Sequence, residues 1–154
     1  MPGKPESHET TYAKLQKNYC FVCGMDNPEG MHLKFVLDEK RQTFVCHFSL
    51  DKRYTGPPGH CHGGIIATIL DDAMGKVNKL HKVVALTREM TVEYIRPVPL
   101  YAALHVEGRE VEKRGRTHIN SAEILNEQDE VLARSRGLFI AIDPEEMFAK
   151  YVDR

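Results

Sequence analysis

No apolar run in this 154-residue chain approaches the roughly 20 residues that a membrane-spanning helix requires. Nor is there an excess of charge of one sign. With 21 basic and 22 acidic residues the formal net charge is -1, so no long-range field gathers nucleic acid or an anionic lipid surface. The opening residues Met1-Pro2-Gly3-Lys4-Pro5-Glu6-Ser7 lack the apolar stretch of a secretory signal, and a soluble, cytoplasmic protein is the expectation. Internal repeats and low-complexity linkers are missing too. Cysteine is scarce: of Cys20, Cys23, Cys46 and Cys61, only the first two form a close pair. A zinc site would need two further ligands from Cys46, His60, Cys61 and His62. Without a second close pair, buried free thiols and no metal are expected.

What the chain does contain is 42% hydrophobic and 28% charged residues, ordinary usage for one globular domain with a real core. Residues 1–18 read as a lead, polar over 1–10 and forming a short helix over 11–17. Residues 19–154 read as the single domain. Met31–Asp38 and Thr43–Ser49 alternate apolar and polar residues as two strands joined by Glu39-Lys40-Arg41-Gln42. A helix is expected from His60 to Leu80. Four strands follow, at Val84–Arg96, Tyr101–Lys113, Thr117–Asn126 and Val131–Ile142, and Asp143 then caps a short helix opened by Pro144. In the first of these strands Leu86, Met90, Val92 and Tyr94 are apolar, whereas Thr87, Glu89, Thr91 and Glu93 are polar. That alternation puts Thr87 on the polar face.

The chemistry concentrates in His60-Cys61-His62-Gly63-Gly64 and the helix that follows. Paired glycines admit a ligand close to the backbone, and the first helical turn offers unpaired N–H groups with partial positive charge, suited to a developing oxyanion. At about 100° per residue, Ile66, Ile69, Leu70, Ala73 and Val77 form the apolar stripe, and Asp71 falls opposite its centre. Its neighbours at three and four residues, Ala67, Thr68, Met74 and Gly75, are small or flexible, so this face is built to lie close to something else. Asp72 has a plainer role, pairing with Lys76. Asp71 is therefore the preferred acid.

His62-Gly63-Gly64 with an acid nine positions after the His, followed by the strand Thr87-Arg88-Glu89-Met90-Thr91-Val92-Glu93-Tyr94-Ile95-Arg96-Pro97, resembles the PaaI-type acyl-CoA thioesterases of the hotdog-fold superfamily. Cys20-Phe21-Val22-Cys23-Gly24, Asn27-Pro28-Glu29-Gly30-Met31 and Gly56-Pro57-Pro58-Gly59 resemble the subgroup that includes the THEM4-like enzymes. The resemblance implies an α+β hotdog, an antiparallel sheet of about six strands wrapped around one long central helix. It implies hydrolysis of acyl-CoA at a site between two subunits of a homodimer or dimer of dimers, with coenzyme A as part of the substrate and no separate cofactor. The Gly63 N–H, beside Gly64, polarises the thioester carbonyl in this scheme, and Asp71 of the facing subunit is general base or nucleophile. Thr87 matches a water-positioning Thr. His62 either orients the backbone or thioester or caps the helix, with the orienting role preferred. Two clusters are candidates for the CoA phosphates, Arg96 and the turn Arg114-Gly115-Arg116 with Lys113. Met25, Met31, Tyr54 and Met74 are candidates for the acyl pocket, with the Cys20–Gly30 loop as part of its lid. One departure stands out, because Gly56 occupies the place of a usual Asn or Gln. Its loss keeps open a non-catalytic acyl-CoA-binding module. A hotdog hydratase or dehydratase is a weaker rival, for its Asp and His motif is missing.

Overall fold

The computed structural model describes residues 17–151, so the expected polar lead over 1–10 and most of the expected helix over 11–17 lie outside the described residues. Six strands, β1 (Val36–Asp38), β2 (Thr43–Phe48), β3 (Val84–Tyr94), β4 (Leu104–Arg114), β5 (Thr117–Asn126) and β6 (Val131–Ile142), form one sheet of order β1-β2-β4-β5-β6-β3. Every neighbouring pair is antiparallel. Helix α1 (Gly63–Val77) lies in the curve of this sheet, and α2 (Pro144–Phe148) closes the described chain with a final turn at Ala149–Tyr151. This is the hotdog arrangement that the sequence implies.

Helix α1 buries the expected stripe, Ile66, Ile69, Leu70, Ala73 and Val77. Beneath it lie Leu104 and Val106 of β4, Ala122 and Ile124 of β5, and Leu132, Ala133 and Phe139 of β6. Burial of these side chains, each stabilising by about 1.5–3 kcal/mol for the larger aliphatics, is what holds sheet and helix together. At its C-terminal end the helix is anchored by buried Asn120, whose Nδ2 donates to the Met74 carbonyl and to Asn78 Oδ1, each at 2.9 Å. The chain then tightens into a 3-10 turn over Asn78–His81 and leaves it at Lys82, in the left-handed region with φ 55°.

Several boundaries differ from the sequence reading. The helix starts at Gly63 rather than His60, because His62 is extended (φ -61°, ψ 136°) and serves as its N-cap. Residues 31–35 are not strand; they run beside the Cys-rich loop, where the Met31 and Leu33 N–H groups donate to the Phe21 and Val22 carbonyls. Met74, expected on the Asp71 face, instead turns inward and is fully buried, its sulfur accepting a 3.3 Å hydrogen bond from Ser135. The most consequential difference is in β3. Its register with β6 shifts between Thr87 and Glu89, so Arg88 forms a bulge and the side-chain alternation changes phase there. Ala85 and Thr87 before the bulge share the inner face with Met90, Val92 and Tyr94 after it, while Leu86 is 41% exposed.

Candidate active site

The phase change in β3 brings Thr87 to Asp71. Its hydroxyl donates to Asp71 Oδ1 at 2.7 Å, across the groove between strand and helix. Asp71 is half-buried, and among the described residues no ion pair involves it. A carboxylate held in place through one oxygen by a hydroxyl has lone pairs left for a water or an electrophile.

The other end of the site is built on the entry to α1. Nδ1 of His62 accepts from the Gly64 N–H at 2.9 Å, and the His62 carbonyl accepts from Ile65 and Ile66. His62 therefore caps the helix through Nδ1. Its cap also consumes the Gly64 N–H. The neighbouring Gly63 N–H finds no acceptor among the described residues, and it sits at the positive end of a 15-residue helix. Tyr94 lies over it: the phenol donates to the Gly63 carbonyl at 2.9 Å, and a Cβ added to Gly63 would rest 3.6 Å from the ring.

Gly56 is explained by the same corner. A Cβ there would lie 2.6 Å from the His62 Cα, since the 55–61 loop folds back through Gly56 N–H to His60 carbonyl and His62 N–H to Tyr54 carbonyl bonds. No Asn or Gln fits at this position without moving the helix cap. Gly56 thus supports the backbone of the site and offers no side chain to a substrate.

Residues Asp71 and Gly63 do not meet within one chain. Eight residue steps of helix separate them, about 12 Å along the axis. Each end has its own cations. Arg96 follows Tyr94 and donates its backbone N–H to the Leu132 carbonyl, but its guanidinium is taken by Glu130 at 2.6 Å. The Arg114-Gly115-Arg116 turn, with Gly115 at φ 56°, lies beyond Thr117, which pairs with Ile140 of β6, which pairs with Leu86. It is therefore two strand spacings, about 10 Å, from the Thr87 end. Arg114 is paired with Glu112, and Arg116 donates to the Ala141 carbonyl at 3.1 Å.

Of the acyl-pocket candidates, Met31 and Tyr54 come together with Leu33, Leu50 and Tyr101 around a cleft of about 140 Å³. Met25 is 58% exposed, and Met74 is sealed in the core. Cys46 and Cys61 are buried free thiols whose pKa is pushed up to about 11 by desolvation, as suits inert core residues. Cys20 and Cys23 are only partly buried and lie against Asp72. Sequence reasoning missed Tyr94; its signal, a Tyr in register with Thr87 once the bulge is counted, is invisible to a plain period of two.

The model of the thioesterase superfamily matches residues 58–133, close to half of the chain and spanning both ends of the site. Acyl-coenzyme A thioesterase THEM4 of Mus musculus is 34% identical over 133 residues, covering 86% of this chain and 57% of that protein. A solved thioesterase superfamily protein aligns with TM-score 0.73 and 28% identity over 77% of this chain and 61% of its own. The chain belongs to the thioesterase superfamily. PaaI of E. coli, from the phenylacetic acid degradation operon, shares the superfamily fold with TM-score 0.66 at 20% identity, over 72% of this chain and 80% of that one. The chain spans about half the length of the curated relatives it matches, 55% of the Bos taurus THEM4 and 57% of the mouse protein. Among the described residues no helix is long and apolar enough to cross a membrane.

Proposed function

We propose that this thioesterase-superfamily chain hydrolyses acyl-CoA to the free acid and coenzyme A at a site shared by two copies. The observation that carries the reading is the Thr87–Asp71 hydrogen bond, which fixes a carboxylate on the one face of α1 that its own core does not use. In this scheme the thioester carbonyl oxygen sits at the Gly63 N–H of one copy, where the helix N-terminus stabilises the negative charge of the tetrahedral intermediate. Asp71 of the other copy takes a proton from water as the water oxygen bonds to the carbonyl carbon, or bonds to that carbon itself, in which case water opens the anhydride left after the sulfur departs and frees the acid and the Asp71 carboxylate. The C–S bond then breaks, and the CoA sulfur leaves with a proton. Water and the thioester are the only reactants, so no further cofactor enters the reaction.

The second copy has an obvious place to dock. Strand β3 is an edge of the sheet, eleven residues long, with Val84, Leu86 and Tyr94, and Ile95 just past its end, exposed by 37–54%. An open apolar edge of this length is a template for pairing. Antiparallel pairing of β3 with its two-fold mate sets the Thr87 end of one copy beside the Tyr94 end of the other, and so Asp71 beside the partner Gly63. Arg96 and the 114–116 turn then flank one site from two subunits, as anchors for CoA phosphates once they exchange their present carboxylate and carbonyl partners. A non-catalytic acyl-CoA module would be favoured by an Asp71 locked in an ion pair, and among the described residues it has none.

The test is a panel of short, long and aromatic acyl-CoAs with the wild type, Asp71→Asn and Asp71→Ala. Loss of at least about 10²-fold in kcat for both variants is expected for a base or nucleophile. Hydrolysis that continues unchanged in both removes Asp71 from the reaction.

A further inference from the structure

The Cys20–Gly30 loop is fastened to helix α1 at one point, on the face next to Asp71. There Cys20 Sγ lies 3.6 Å and Cys23 Sγ 3.9 Å from Asp72 Oδ1, and the three ligand-type atoms all fall within 4.8 Å of one another. We propose that Cys20, Cys23 and Asp72 bind a zinc-class divalent cation that clips this loop to α1, with water in the fourth position. Two thiolates and a carboxylate at Zn–S of about 2.3 Å and Zn–O of about 2.0–2.2 Å stand about 3.6–3.8 Å apart in a tetrahedron, and the two sulfur–oxygen distances here are 3.6 and 3.9 Å.

Three features of the surroundings fit a cation rather than an incidental meeting of side chains. Asp72 Oδ2 is buried without a hydrogen-bond partner, and a carboxylate in that state is costly unless a charge compensates it. Lys76 Nζ stands 2.8 Å from Cys23 Sγ and 3.8 Å from Asp72 Oδ2, the position of an outer donor to a metal-bound thiolate. Charge then balances: two thiolates and one carboxylate face a dication and the Lys76 ammonium. Binding releases the two thiol protons to solvent and leaves the oxidation states unchanged. Thiolate donors select zinc over magnesium or calcium. The Cys-x-x-Cys pair thus finds its third ligand not in a second cysteine pair or a histidine but in a helix carboxylate.

The loop itself is shaped to present both sulfurs. The Gly24 N–H donates to the Cys20 carbonyl at 2.9 Å, Asp26 N–H to the Asn18 carbonyl at 3.1 Å, and Val22 is anchored in the core. Nothing in this proposal depends on hydrolysis. The cation is a fastener for the loop, and its presence is read without any activity assay.

The experiment uses the full chain, reduced, stripped with chelator and checked for two accessible thiols, then titrated with Co²⁺ and back-titrated with Zn²⁺. One equivalent per chain, with the intense visible absorption of tetrahedral cobalt thiolate, is expected, and Zn²⁺ should displace it. Cys20→Ser and Cys23→Ser should abolish the absorption and Asp72→Asn should weaken it, while Cys46→Ala should leave it intact. A second readout needs no variant: Zn²⁺ should protect Cys20 and Cys23 of the wild type from alkylation. No cobalt absorption with both thiols reduced, uptake that survives Cys20→Ser, or alkylation indifferent to Zn²⁺ would overturn the proposal.

Discussion

A single hydroxyl decides how the proposed acid is held. Thr87→Val removes the 2.7 Å bond to Asp71 while keeping the β-branched shape that suits a strand. The expected result is a fall in kcat of roughly 10- to 100-fold, the range for losing a hydrogen bond to a charged group, with Thr87→Ser restoring most of it and KM changing little. Steady-state kinetics on the best acyl-CoA of the panel checks this, and an unchanged kcat in Thr87→Val would leave Asp71 self-supporting. At this scale the sequence was partly legible. Helical phase alone separated Asp71 from Asp72 and turned it off the core, because the 3.6-residue period of α1 is undisturbed. The face of Thr87 was not legible, since one extra residue at Arg88 reverses a period of two and leaves no mark in composition. The His62 role and the need for Gly56 were hidden for another reason: both depend on a loop folding back across six residues, a contact with no periodic signature.

Elements with a strong period were readable almost to the residue. Strands β5 and β6 and the Asp143 cap of α2 stand where the alternation and turn residues put them, with the Asp143 carboxylate accepting from Glu145 and Glu146 N–H groups. Residues 31–35 were misread because a loop edge that hydrogen-bonds to another loop alternates much as a strand does. The stripe of α1 predicts where stability resides. Ile69→Ala, at a site with no solvent exposure, should cost about 2–5 kcal/mol in urea unfolding, while Ile65→Ala at the half-buried edge should cost clearly less. The junction of β5 with the 3-10 turn makes the fold sensitive to acid. His118 is buried on β5 with Nε2 unpartnered, and desolvation, then the nearby His81 and Lys113, hold its pKa below the ordinary value, with Glu110 opposing. A histidine that resists protonation when folded binds fewer protons than the unfolded chain does. Stability should therefore fall as pH drops through about 6.5 toward the lower folded pKa, and His118→Gln should flatten that slope in melts at pH 5 to 7.5. Equal slopes for the two proteins would remove His118 from the acid response.

On the scale of the whole molecule, the two halves of the proposed site lie about 12 Å apart along α1, Gly63 at its start and Asp71 near its middle, so function and assembly become one question. A complementation experiment separates the shared site from any arrangement inside one chain. Asp71→Asn disables one half. Gly63→Pro disables the other with little harm to the fold: position 63 is the first helical residue, where proline is tolerated and only the N–H is lost, and the preceding His62 already has the extended backbone that a following proline requires. Each variant alone should be nearly inactive. Co-expressed, they form mixed dimers in which one of two sites pairs an intact Asp71 with an intact Gly63, and random mixing should recover about a quarter of wild-type activity. Leu86→Glu, which places a charge on the exposed apolar edge of β3, should lower the dimer fraction in light scattering and the activity in parallel. Recovered activity with loss of it in Leu86→Glu would fix Asp71 and Gly63 in different chains, since no intramolecular site can be rebuilt from two chains that each lack one of its members. No recovery from a mixture shown by mass to contain heterodimers would instead require the carboxylate and the helix terminus to serve the same chain, across about 12 Å that a single thioester does not bridge.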